Sequence, residues 1–224
     1  MTDNAGTIHI QSLVVTPLEE NCYVLWNDAQ DCIVIDPGGD VDHISAVLEK
    51  QKLRPQLIIN THGHIDHIGA NADLREQTGA RIGIHPMDAP MLQSSLLCGA
   101  QWLGMEYREH SPDFLYAEGQ TIGTGALQFE VFHTPGHSPG SCILLNRANN
   151  FLVGGDLVFA GAVGRWDLPG GDEDTLFQSI LQKFLPLPDE VRVYPGHGPA
   201  TTVGAERRNN PFLIPLERVR RERG

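Results

Sequence analysis

Four side chains with metal-binding chemistry, His62, His64, Asp66 and His67, follow directly on the apolar stretch Gln56 to Asn60, and this constrains the fold of the 224-residue chain more than any other feature. A short apolar run bounded by turn-forming residues reads as a buried strand. That strand must therefore end where a polar, histidine-rich loop, Thr61 to Gly69, can meet partners from elsewhere. Three later segments have the same form, a strand running into a glycine-containing polar cluster. Phe132 leads into His133-Thr134-Pro135-Gly136-His137, Val153 into Gly154-Gly155-Asp156, and Tyr194 into Pro195-Gly196-His197. Four such strand ends converging at one edge of a sandwich make one site from four distant segments.

The remaining pattern supplies the sheets. Apolar runs separated by turn residues predict strands over Ile8 to Val15, Cys22 to Trp26 and Cys32 to Asp36, the last ending at the turn Pro37-Gly38-Gly39-Asp40. Helical spacing covers Val41 to Leu53, with Ile44, Val47 and Leu48 on one face, and about Asp66 to Gln77. A strand at Ala80 to His85 follows, and Met87 to Tyr116 is ambiguous. The second half repeats the rhythm with strands at Leu127 to Phe132, Ser141 to Leu145, Phe151 to Val153 and Val191 to Tyr194, and a helix over Asp174 to Phe184. Blocks of strands alternating with helices predict an α+β fold with sheets packed together and helices outside. The length suits one domain, residues 1–224, with 201–224 as a short C-terminal helix or tail.

Charge narrows the partners. The chain carries a formal net charge of −12, but six arginines after position 206 face only Glu217 and Glu222, which leaves +4 on the tail and −16 on the body. Such a body repels phosphate backbones, so nucleic acid is not an expected partner. The tail arginines read as solvated charge. Met1 to Ile10 contains Asp3 and neither a basic nor an apolar leader segment, and no stretch reads as a membrane span. Cys22, Cys32, Cys98 and Cys142 lack C-x-x-C spacing and read as small buried hydrophobes of a reducing, cytoplasmic protein. The uncharged segment Ala89 to Met105, with Leu92, Leu96, Leu97 and Trp102, suits either a pocket mouth or burial against a sheet.

In an extended loop, residues two apart point the same way, so His62 and His64 can grip one ion while Asp66 and His67 reach a second. His137, Asp156 and His197 complete the shells. No thiolate accompanies them, which argues against a closed structural zinc site. Zinc leads as the metal, with iron or manganese compatible with bridging carboxylates. His9, His43, His85 and His110 read as surface or hydrogen-bonded residues, and His133 as a partner supporting a ligand.

Thr61 to Gly69, Thr134 to Gly140, Gly154-Gly155-Asp156 and Pro195-Gly196-His197-Gly198 are similar in order and spacing to the metallo-β-lactamase fold superfamily, and within it to glyoxalase II, the hydroxyacylglutathione hydrolases. The resemblance extends to Glu206 to Phe212 and is to the short bacterial branch without a helical C-terminal domain. It implies a four-layer αββα sandwich. It also implies one metal on His62, His64 and His137, a second on Asp66, His67 and His197, and Asp156 bridging two divalent ions. The implied activity is hydrolysis of a small-molecule thioester such as S-lactoylglutathione. A hydroxide held between the ions attacks the carbonyl and Asp66 orients it, two metals lowering the pKa of a shared water from about 15.7 to near 7.

Arg165, in Gly164-Arg165-Trp166-Asp167, stands where the family has a basic residue that contacts glutathione. Asp167 replaces a tyrosine, so a local Arg165–Asp167 ion pair is the competing reading. The same segment resembles the persulfide dioxygenases, which imply one iron on His62, His137 and Asp156. Other branches fit less well. β-Lactamases usually lack the bridging aspartate, the diiron electron-transfer branch has an acid where this chain has His64, and RNA-processing nucleases meet the acidic body. A non-catalytic sensor is disfavoured by the complete ligand set.

Overall fold

The computed structural model describes residues 7–223. Strands β1 (Ile8–Val15), β2 (Glu20–Asn27), β3 (Cys32–Ile35), β4 (Leu57–Ile59), β5 (Arg81–Ile84) and β6 (Phe114–Leu115) lie side by side in that order. The second sheet draws on β7 (Thr121–Thr124), β8 (Leu127–His133), β9 (Cys142–Asn146), β10 (Phe151–Gly155) and, beyond a hairpin of β11 (Val158–Phe159) and β12 (Ala162–Val163), on β13 (Arg192–Pro195) and β14 (Thr201–Thr202). Its order is β14-β13-β10-β9-β8-β7.

Side-chain alternation turns these sheets into layers. Tyr23 and Leu25 of β2 and Ile33 and Ile35 of β3 pack with Phe129, Val131, Leu144 and Val153 of the opposite sheet. Their neighbours Cys22, Val24, Cys32 and Val34 face the other way, onto Ile44, Val47 and Leu48 of α1 (Val41–Gln51) and Leu74. On the far side, Ile143, Leu145, Leu152 and Val193 meet Leu176, Ile180, Phe184, Val203 and Leu213. Three cores separate four layers, the αββα sandwich. Central strands buried on both faces explain why Cys22 to Trp26 reads as a nearly unbroken apolar run.

The helix expected over Asp66 to Gln77 is two helices, α2 (Ile65–Ile68) and α3 (Asn71–Thr78). At the break, the Ala70 amide donates to Pro37 O at 2.9 Å instead of to its own helix. Gly69 allows this, because a Cβ there would lie 2.3 Å from Gly38 O. The ambiguous Met87 to Tyr116 contains a 3-10 turn at Ala89–Gln93, the single-turn α4 (Ala100–Leu103) and β6. The helix expected over Asp174 to Phe184 begins as α5 (Glu173–Ser179) and widens, with Leu185 N donating to Ile180 O. Residues 201–223 hold β14, α6 (Val203–Asn209) and α7 (Leu213–Arg223).

Among the described residues, arginines of the basic tail stay largely exposed but form ion pairs. Glu217, itself buried, accepts from Arg220 and Arg221, and Arg207 and Arg208 both bind Asp189. Cys22, Cys32, Cys98 and Cys142 are unpaired and buried. No helix among the described residues is long and apolar enough to cross a membrane. Residues 1–6 of the leader reading lie outside the described residues.

Candidate metal centre

The loops that leave β4, β8, β10 and β13 meet at one edge of the sandwich. His62 and His64 follow β4, His137 follows β8, Asp156 follows β10 and His197 follows β13. His137 Nε2 lies 3.2 Å from His62 Nε2 and 2.9 Å from His64 Nδ1, so three ring nitrogens point at a common spot. A second triad forms beside it: Asp66 Oδ2 lies 3.2 Å from His197 Nε2 and 3.9 Å from His67 Nε2. Asp156 stands between them. Its Oδ1 is 3.3 Å from His67 Nε2, and its Oδ2 is 3.5 Å from His137 Nε2 and 3.7 Å from His197 Nε2. The structure thus brings all seven expected donors together.

Residues that the sequence did not single out hold these donors in place. Asp36, in the left-handed conformation (φ 52°) just past β3, accepts from Thr61 N at 2.7 Å and Thr61 Oγ1 at 2.6 Å. The same carboxylate accepts from His67 Nδ1 at 3.0 Å, fixing that ring with Nε2 turned to the site. Asp88 ties the two loops of the first triad together, accepting from Gly63 N at 3.0 Å, Ser138 Oγ at 2.6 Å and Gly140 N at 2.6 Å. Asn21 clamps the His197 loop through Pro195 O at 3.0 Å and Gly198 O at 2.8 Å. Gly196 is required there, since a Cβ would lie 2.1 Å from Asp156 Oδ1. His137 Nδ1 donates to Arg165 O at 2.7 Å. Asp36 and Asp88 carried no motif; only their place at a strand end and beside a turn hinted at a role.

Electrostatics separate the two triads. Burial and the neighbouring rings push His62 and His64 below the ordinary imidazole range, which leaves them neutral with lone pairs available. His67 goes the other way: burial pushes it down, but Asp156, Asp66 and Asp36 outweigh burial and hold it well up. Burial pushes Asp156 up, and His67 beside it more than reverses this, holding the carboxyl below the usual range. The second triad therefore favours positive charge at its centre. His67 Nε2 and Asp156 Oδ1 are moreover buried without hydrogen-bond partners. Two orphaned atoms of matching chemistry, facing one point, fit a cation.

A cleft of about 640 Å³ opens over the donors. Trp102 and Leu103 of α4 line it, so part of the Ala89 to Met105 segment does reach the pocket, while Leu92 is fully buried. Arg165 also lines it, with its guanidinium held by Asp167 through two bonds of 2.7 and 2.9 Å. The local ion pair is therefore formed. His133 stacks on His85 at 4.1 Å and bonds Pro139 O, supporting the loop that carries His137. His9 pairs with Asp28, and His110 bonds Arg108 O and Asn71.

Comparison with known proteins identifies the family. Residues 15–197 match the family described as the metallo-beta-lactamase superfamily. Hydroxyacylglutathione hydrolase GloC of Haemophilus influenzae is 36% identical over 208 residues, which cover 92% of this chain and 98% of that protein. The crystal structure of BLEG-1 B3 metallo-beta-lactamase is similar with a TM-score of 0.88 and 38% identity, covering 92% of this chain and 99% of that one. The crystal structure of TTHA1623 in a di-iron-bound form gives 0.83 and 38%, covering 91% and 100%. The chain belongs to the metallo-β-lactamase superfamily.

Proposed function

We propose that this protein is a metal-dependent hydrolase of thioesters of the hydroxyacylglutathione type. The observation that carries the reading is the convergence of seven donors as two triads with Asp156 between them. His62, His64 and His137 would hold one ion, Asp66, His67 and His197 another, with Asp156 shared. Likeness to the Haemophilus hydrolase over nearly its whole length supports the substrate class, and likeness to a di-iron structure supports two ions, iron as well as zinc fitting an imidazole and carboxylate set. When bound, such a pair lowers the pKa of water toward neutrality and polarises a carbonyl.

The chain's own residues do the rest. Asp66 lines the cleft and is held as a carboxylate by His67 and His197, although burial pushes it the other way. It orients the attacking water and accepts its proton. As water adds and the C–S bond breaks, the thiolate departs unaided, because a thiol pKa of about 8.5 makes it a competent leaving group. An amine leaves only with a proton, whereas a thiolate leaves without one, so a thioester asks less of the site than the lactam suggested by the likeness to BLEG-1.

The test is release of thiol from S-lactoylglutathione by metal-loaded protein, with a β-lactam and glutathione persulfide in parallel. Thiol release abolished by Asp156→Ala is the expected result. Hydrolysis of the lactam alone, or oxygen consumption with the persulfide alone, sinks the proposal.

A further inference from the structure

Beyond its metal-binding donors, the cleft is lined mostly by apolar side chains. The wall includes Leu18 from the β1–β2 turn, Trp102 and Leu103 from α4, Phe159 and Val163 from the β11–β12 hairpin, and Leu168. Leu18, Trp102 and Leu103 are 42%, 52% and 52% exposed, so this apolar surface is open to a ligand rather than packed away. A tripeptide thiol bearing two carboxylates and an ammonium group would need charged partners. Among the described residues Arg165 alone is charged apart from the donors, and Asp167 already binds the Nε and Nη2 edge of its guanidinium. The −16 body adds long-range repulsion toward an anionic carrier.

We infer that the cleft recognises its thioester through a bulky apolar group seated against Trp102 and Leu103, and that the charges of the thiol carrier contribute little to selection. The inference rests on the thioester hydrolase reading and names the substrate class within it: thioesters with an aromatic or branched aliphatic group on the acyl or the thiol side. Trp102 is then a specificity-determining residue. Its indole presents a broad apolar face on a helix of one turn, where removal leaves the sheet cores untouched.

Four thioesters separate the sources of the apolar group: S-lactoylglutathione, S-mandeloylglutathione, and the lactoyl thioesters of benzyl mercaptan and of N-acetylcysteamine. With metal-loaded protein, kcat/KM for the mandeloyl or the benzyl compound should exceed that for S-lactoylglutathione by about 10- to 30-fold, the worth of burying part of a ring. The N-acetylcysteamine compound, small and uncharged, should fall within about tenfold of S-lactoylglutathione. Trp102→Ala should collapse the aromatic advantage toward unity, and Leu103→Ala should reduce it. A preference for S-lactoylglutathione over both aromatic compounds, or an aromatic advantage unchanged in Trp102→Ala, overturns the inference.

Calorimetric binding of two thioethers that cannot be hydrolysed, S-benzylglutathione and S-methylglutathione, keeps this separate from the reaction itself. At least tenfold tighter binding of the benzyl compound, lost in Trp102→Ala, supports apolar recognition even if no thioester turns over, an outcome that would sink the hydrolase reading alone. Equal affinities overturn apolar recognition whatever the activity.

Discussion

Asp88 offers the sharpest mutational test of how the site is held together. It is fully buried and takes three hydrogen bonds from two loops, Gly63 N on one side and Ser138 Oγ and Gly140 N on the other. In Asp88→Ala the Ser138 hydroxyl keeps Ser141 Oγ at 2.7 Å, but the Gly63 and Gly140 amides lose their acceptor. A buried orphaned donor costs about 1–3 kcal/mol, so two cost about 2–6 kcal/mol. Part of this is offset, because burial pushes the Asp88 carboxyl above its usual range despite its donors. A net loss of about 2–4 kcal/mol is expected, a large share of the ~5–15 kcal/mol of a typical domain. Urea unfolding of metal-free protein should show it as a lower midpoint at unchanged slope.

The loops Asp88 joins carry His62, His64 and His137, so metal affinity, read by chelator competition, should fall about 10- to 100-fold as well. Asp88→Asn can serve the Gly63 and Ser138 side with its carbonyl but turns an NH2 group toward Gly140 N, so it should lie between parent and alanine variant. Asp88→Ala within about 0.5 kcal/mol of the parent would refute the bridging argument. Lost stability with unchanged metal affinity would mean that Asp88 serves the fold and not the site.

Three further outcomes can be checked. Asp156→Asn should lower bound metal from two equivalents to one and cost more than about 100-fold in thioester turnover, since even outer partners of metal ligands are worth 10- to 100-fold; elemental analysis and initial rates decide. His85 is pushed down from 6.5 to about 4 by burial and by His133 stacked on it. Between those values the unfolded chain binds a proton that the folded chain does not, so stability falls as pH drops through that window; a His85 ring midpoint at or above 6.5 by NMR contradicts this. Removing residues 217–224 should leave the turnover ratio of neutral to anionic thioesters unchanged, because Glu217 already engages Arg220 and Arg221; a fall in the anionic rate alone would give the tail a steering role.

Legibility in the sequence followed local pattern. Ile8 to Val15, rich in β-branched residues and followed by the turn before Glu20, is a strand over those same residues. Helix α1 shows its apolar face through Ile44, Val47 and Leu48. The donors were legible because motif residues sit at strand ends, and the sandwich brings those ends to one edge. What escaped depends on distant partners. β6, β11, β12 and β14 have two residues each, too few to show a period. β7 (Thr-Ile-Gly-Thr) carries a glycine and a single buried apolar side chain. The break between α2 and α3 needs Gly38 pressed against Gly69, 31 positions away in sequence. Asp36 and Asp88 matter only because folding places Thr61, His67, Gly63 and Gly140 around them.

The central claim is that the seven donors hold two ions whose chemistry hydrolyses a thioester. Thiol release from S-lactoylglutathione, followed while metal is added stepwise to metal-free protein, tests it most directly. Release that climbs until two equivalents per chain are bound and then levels is the predicted result. A plateau at one equivalent, or no thiol released at any metal content, would contradict it.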